Sequence, residues 1–208
     1  MSEYRVFAFT GPSTSGKSTL VQHFAHKYNA VVLNVDAYFK RMRDMPPIEL
    51  DTIHTYNNDC PESVEWKLLL RNFQQIPKNR IIFLDGFILF CEEFFINSVD
   101  VLINIEYDFN KDFKIALNRR FKRIYFEDVP ADIKSYKPTF HPRFICDYFE
   151  QIVWKEAIQH PEYRKPSSWE KPPLTLNATD PLATTVENVD HFLKRFIYTE
   201  VQSHESNS

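Results

Sequence analysis

Apolar positions fall along this chain in two rhythms. Short unbroken runs, too brief for a helix, occur at Arg5-Val-Phe-Ala-Phe-Thr10, Ala30-Val-Val-Leu-Asn-Val35, Arg80-Ile-Ile-Phe-Leu-Asp85, Val101-Leu-Ile-Asn-Ile105 and Leu174-Thr-Leu-Asn-Ala178. Each reads as a buried strand. Between them the spacing turns helical: Leu20, Val21, Phe24 and Ala25 mark a helix over 17–28, and the pattern predicts others over 112–125, 144–159 and 186–201. Asp59 and Glu62 stand at capping-box spacing and start a further predicted helix that runs to about Phe73. Residues 41–59 are polar, contain prolines and lack periodicity, which predicts a loop over a site; 127–142 reads as an irregular flap and 162–173 as a loop.

Strands alternating with helices predict a doubly wound α/β fold, a five-stranded parallel sheet flanked by helices. One domain would span 1–201, with a small lid at about 119–142 and a mobile polar tail at 202–208. Ligands of such sheets sit beyond the carboxyl ends of the strands. The loop after Thr10, Asp36 at the end of the second strand and Asp85 at the end of the third would therefore meet along one edge.

Composition narrows the function. A chain of 208 residues fits one core, and 43% hydrophobic with 25% charged residues excludes disorder throughout. A net charge of -3 excludes a nucleic-acid binder working through bulk positive charge. Three scattered cysteines, Cys60, Cys91 and Cys146, suit a reducing compartment and argue against a disulfide scaffold or structural zinc. No apolar run reaches membrane-spanning length and the start lacks a signal-peptide layout, so a cytoplasmic monomer with no membrane partner is expected. Glycine is the informative residue. There are only three, Gly11, Gly16 and Gly86, all placed at strand ends on the same predicted edge.

Gly11-Pro-Ser-Thr-Ser-Gly-Lys-Ser18 matches GxxxxGK[ST] in the strand-loop-helix setting that the motif needs. Backbone N–H groups from Gly11 through Ser13, Thr14, Ser15 and Gly16 to Thr19 would face phosphate oxygens, Lys17 would reach the β- and γ-phosphates, and Ser18 would ligate Mg²⁺. Asp36 could orient an attacking hydroxyl or hold the metal through water; an ordinary turn acid is the competing reading. Asp85 has the form of a metal-holding acid at the end of an apolar strand. Arg119, Arg120 and Arg123, with Lys122 among them, end a helix and read either as a solvated basic terminus or as an anion-clamping lid. Tyr38, Phe39, Phe144, Tyr148 and Trp154 could stack a ring, though most aromatics must fill the core. His54 and His141 read as surface histidines, and Glu92, Glu93, Asp128 and Asp132 as solvated acids.

Taken in order, Gly11-Pro-Ser-Thr-Ser-Gly-Lys-Ser-Thr19, Asn34-Val-Asp-Ala-Tyr-Phe-Lys40, Asn58-Asp-Cys-Pro-Glu-Ser63 and Leu84-Asp-Gly-Phe-Ile-Leu-Phe90 resemble the nicotinamide riboside kinases, relatives of uridine kinase among the P-loop nucleoside kinases. The likeness covers about 6–189. It implies ATP- and Mg²⁺-dependent phosphorylation of the 5′-hydroxyl of nicotinamide riboside to its mononucleotide. It further implies that Asp36 is the catalytic aspartate, that Ser18, Asp36 and Asp85 serve the metal, and that Asp59 holds the ribose 2′- and 3′-hydroxyls. Arg119, Arg120 and Arg123 match lid arginines, Arg120 acting on the transferred group, while Tyr38 and Phe39 fall in the substrate-contacting segment. The chain departs from the family immediately before Asp59, where Asn58 replaces an aromatic; Tyr56, or an aromatic between Phe144 and Tyr148, is the candidate substitute. Two rival readings stand beside this one: a uridine or cytidine kinase of the same fold, and a non-enzymatic ATP-binding regulator.

Overall fold

Strand β1 (Arg5–Thr10) shows how the apolar runs are used. Phe7 and Phe9 enter one buried cluster, while Val6 and Ala8 enter a second on the opposite side. A strand covered on both faces has no polar positions to alternate with, hence the unbroken run. In the computed structural model, which describes residues 5–50, 53–137 and 139–197, the chain continues through α1 (Lys17–Tyr28), β2 (Val31–Asn34), β3 (Pro47–Leu50), β4 (Ile53–Tyr56), α2 (Trp66–Gln74), β5 (Ile81–Asp85), α3 (Glu93–Ser98) and β6 (Val101–Glu106). It ends with α4 (Phe113–Tyr125), α5 (His141–Tyr148), α6 (Lys155–Gln159), β7 (Leu174–Asn177) and α7 (Leu182–Ile197).

Five strands pair in parallel in the order β2-β5-β1-β6-β7, with helices burying both faces. This is the expected doubly wound sheet. Leu20 and Phe24 of α1 and Val189 and Leu193 of α7 pack on one face; Leu69 and Phe73 of α2 and Phe95 of α3 pack on the other. The chain leaves β1 for β2 on one side and later crosses to β6 on the other, so a crevice opens at the carboxyl ends beside β1. Among the described residues no helix is long and apolar enough to cross a membrane.

Several expectations are corrected. The stretch 41–59 is not all loop: β3 and β4 form an antiparallel hairpin, with Leu50 paired to Ile53. Its only inward apolar positions on β3, Ile48 and Leu50, are too few to show a period among prolines. The capping box at Asp59 and Glu62 does not start a helix. Pro61–Ser63 is a 3₁₀ turn, Val64 stays extended to bridge Phe39, and α2 begins only at Trp66. The short α3 is an unexpected helix, seated by the fully buried Phe95. Helix α7 starts earlier than expected, just after Pro181, and the expected helix beyond Ile197, like the tail, lies outside the described residues. The expected helix over 144–159 begins at His141, and its middle, Phe149–Trp154, is π-helical. Among the described residues of 127–140 the stretch is irregular apart from a 3₁₀ turn at Ile133–Ser135.

Candidate active site

The loop between β1 and α1 is shaped by backbone that side chains could not follow. Gly11 adopts φ +149°, and a Cβ there would lie 2.3 Å from the Ile105 carbonyl oxygen. Gly16 takes φ +98° as the N-cap of α1, and Ser15 N–H closes a turn on the Pro12 carbonyl at 3.2 Å. Helix α1 has no capping side chain and no acid in its first turn, which leaves its N–H groups and dipole to an anion. Lys17, the first helical residue, is buried at 8% exposure, and its charge acts on Asp59 and Asp85 alike.

Asp85 ends β5 between Asn34 of β2 and Phe9 of β1. It is 2% exposed, and its Oδ1 has no hydrogen-bond partner. Burial pushes its carboxyl above the usual range, with Lys17 and Ser18 pulling it back. An orphaned buried oxygen is costly unless something fills the role of partner. Asp36 is not on the strand as expected. Strand β2 stops at Asn34, whose side chain accepts the Asp36 N–H at 2.8 Å and caps a 3₁₀ turn, Val35–Tyr38. Gly86 lets that turn close on β5, since a Cβ there would stand 2.5 Å from Val35 Cγ2.

These oxygens suit Mg²⁺ held chiefly by phosphate and water. Among the described residues no three His, Cys, Asp or Glu side chains make a metal cage, whereas Mg²⁺ needs only one or two protein ligands beside a nucleotide. The Ser18 hydroxyl, the orphaned Asp85 oxygen and Asp36 are the donors that fit.

Asp59 approaches from the loop after β4, its N–H donating to Asn57 Oδ1 at 2.9 Å. It touches the cleft yet is ringed by protein. Desolvation, opposed chiefly by Arg120 and reinforced by Asp36, raises its pKa to about 6. Arg119 donates to Tyr107 Oη at 3.1 Å and to the Ala178 carbonyl at 2.7 Å, while Tyr107 Oη donates to the Thr14 carbonyl at 2.7 Å. Arg119 therefore ties α4, the loop after β1 and the residue that follows β7 together. Lys122 turns away to pair with Asp128 at 3.0 Å.

A cleft of about 470 Å³ brings together Ser13, Thr14, Gly16, Lys17, Ser18, Thr19, Asp36, Phe39, Asp59, Arg119, Arg120 and Arg123. Gly11, Ser15 and Asp85 sit behind this wall as its support. Tyr38 does not line it; its hydroxyl accepts from Asn72 Nδ2 at 3.1 Å. Tyr56, Phe144, Tyr148 and Trp154 do not line it either, and Tyr148 and Trp154 are buried in the core. His54 is exposed on the hairpin beside Glu49, and His141 meets the Tyr125 hydroxyl.

The rings that do face the cleft are Phe39 and Phe87. Phe87 had a signal, two places after Asp85 in a segment already singled out. Asn58, Ile88, Gln22 and Val153 complete the lining. Val153 escapes a 3.6-residue pattern because it lies in the π segment. Behind the phosphate loop a shallower hollow of about 280 Å³ is bounded by Ser15, Arg119, Ala178 and Asp180.

The fold, a five-stranded parallel sheet flanked by helices, is shared with solved structures of kinases. A gluconokinase from Sinorhizobium meliloti 1021 superposes with a TM-score of 0.51 at 13% identity, with 99% of each chain covered. A shikimate kinase from Bacteroides thetaiotaomicron gives 0.48 at 16% identity, covering 92% of this chain and 98% of its own. At 13% identity the gluconokinase likeness shows the fold alone. No protein-family model matches the chain. Uridine kinase-like protein 3 of Arabidopsis thaliana is 23% identical over 171 residues, covering 67% of this chain and 35% of that protein. The chain thus spans about a third of the length of this curated relative.

Proposed function

We propose that the protein is a nucleoside kinase, transferring the γ-phosphate of ATP to the 5′-hydroxyl of a ribonucleoside, with nicotinamide riboside the acceptor that its motifs favour. The observation that supports this reading is one cleft lined together by Lys17, Ser18, Asp36 and Asp59, with Lys17 and Asp36 close enough to act on the Asp59 charge. The phosphate loop and Lys17 grip the donor phosphates, and the hollow beside Arg119 and Asp180 receives the donor base. Asp59 accepts hydrogen bonds from a vicinal diol, one on each oxygen when it is ionised. That places the sugar's primary alcohol toward Asp36, which orients it and takes its proton. Arg120 and Arg123 face the charge that develops on the transferred group. Ser18, Asp85 and Asp36 would hold Mg²⁺, which would neutralise charge at the phosphates.

Uridine or cytidine is the second reading, supported by Asn58, which puts an amide in the cleft where a stacking aromatic would suit a cationic ring. Purified protein incubated with ATP, Mg²⁺ and a panel of ribonucleosides separates the cases by ADP release. Turnover of nicotinamide riboside at the lowest concentration is expected. Preference for a pyrimidine nucleoside moves the assignment to the second reading, and ATP binding without ADP release from any acceptor leaves the regulator.

A further inference from the structure

One hydroxyl organises the acceptor end of the cleft. Tyr148 Oη accepts the Asn58 backbone N–H at 3.2 Å and has three acceptors within reach: Asn58 Oδ1, the nearest, Asp59 Oδ2 at 3.3 Å and the Tyr56 carbonyl at 3.4 Å. The phenol is buried, and desolvation together with the Asp59 charge raises its pKa, so it remains a donor across the working pH range. Its position depends on the π segment that follows. In a regular α-helix residues 148 and 153 would point about 140° apart. Wider π turns bring residues five apart onto nearly one side, so Tyr148 meets Asp59 while Val153 lines the same cleft. Such π insertions are frequent at functional sites.

We propose that Tyr148 is a positioning residue, whose hydroxyl locks the Asn58–Asp59 corner and aims the Asp59 carboxylate at the vicinal hydroxyls of the acceptor sugar. The proposal deepens the nucleoside-kinase reading and rests on it. One phenolic proton serves several acceptors, so its share on Asp59 depends on the competing Asn58 amide. Other groups face Asp59 too: Arg120 from α4, Lys17 from α1 and Asp36 from the turn after β2. Arg120 and Lys17 favour the ionised carboxylate, and Asp36 opposes it. The Tyr148 hydrogen bond also favours the ionised form.

Steady-state kinetics of Tyr148→Phe test this with a ribonucleoside acceptor and with its 2′,3′-dideoxy analogue. For the ribonucleoside, KM is expected to rise about tenfold, the size of one charge-assisted hydrogen bond, with kcat and the KM for ATP within twofold. For the dideoxy analogue, which offers Asp59 nothing to bind, the variant and wild type should match within twofold. The pH midpoint of ribonucleoside KM should also move upward in the variant. Equal penalties on both acceptors, or an unchanged KM, overturn the positioning role while leaving the kinase reading intact. Should Tyr148→Phe fold poorly, Asn58→Ala decides: it frees the phenolic proton for Asp59 and should lower the pH midpoint, and an unmoved midpoint overturns the proposal. Wild-type protein that neither binds nor phosphorylates any ribonucleoside overturns both readings together.

Discussion

On the proposed reading, backbone would do the holding at the phosphate end of the cleft and separate side chains at the acceptor end. The first is a contiguous loop: Gly11 pressed on the Ile105 carbonyl, Gly16 opening α1, and Lys17 buried at the first turn. The second is gathered from the turn after β2, the loop after β4 and α4, and is braced from behind by α5 through hydrogen bonds such as Tyr148 to Asp59 across 89 positions. The contrast teaches that a site for a constant group, phosphate, can be written into local conformation. A site for a variable group has to be assembled from tertiary contacts, each open to change without disturbing the sheet.

The largest expected effects test whether the two ends meet in one reaction. Asp36→Ala should lower kcat by 10²- to 10⁴-fold, on the order of a lost general base, while metal-free ATP binding measured by titration stays the same. Near-wild-type turnover would sink the mechanism. Lys17→Met should lower kcat by about 10²- to 10³-fold, again read in single-turnover assays. Next comes the backbone end: Gly11→Ala should weaken ATP binding at least about tenfold and lower the melting temperature, because the added methyl cannot coexist with the Ile105 carbonyl.

At the acceptor end stability and function should part company. The Asp59 carboxyl titrates at about 6 in the folded protein against 3.8 unfolded. The native state therefore holds the proton more tightly, and stability declines as pH rises through that window. Asp59→Asn should raise the melting temperature at pH 7 by roughly 2–4 °C, yet raise acceptor KM by about 10- to 100-fold through loss of charged hydrogen bonds. In the wild type, acceptor KM should fall as pH rises through about 6, as the diol-binding carboxylate ionises. The smallest effect belongs to Tyr38→Phe, expected to leave both KM values within twofold, since its hydroxyl serves Asn72 and not the cleft.

The same contrast decides what could be read from sequence. The three central strands, β1, β5 and β6, announce themselves because both faces are covered, the edge strands β2 and β7 being only partly buried, and the glycine-rich loop because its eight residues are adjacent. Asp36 and Asp59 were visible as residues but not as geometry: Asn34 ends β2 early, and the Val64–Phe39 bridge delays α2. Tyr148 was visible as a candidate stacking ring but not as a hydroxyl that meets Asp59, and Val153 was hidden. A π segment breaks the 3.6-residue rhythm on which helical faces are recognised, and the contacts of Tyr148 lie some 90 positions away. Phe87 was quoted within a motif, yet nothing local says that its ring faces a cleft rather than the core.

The bridge from the Thr14 carbonyl through Tyr107 to Arg119, and on to Ala178, has a mechanical corollary. It bolts the middle of α4 to the nucleotide loop, so any swing of the flap pivots beyond residue 119 and carries Arg123 farther than Arg120. Paired distance probes on this helix would then register displacement that grows with residue number, and a motionless reference at its anchored turn.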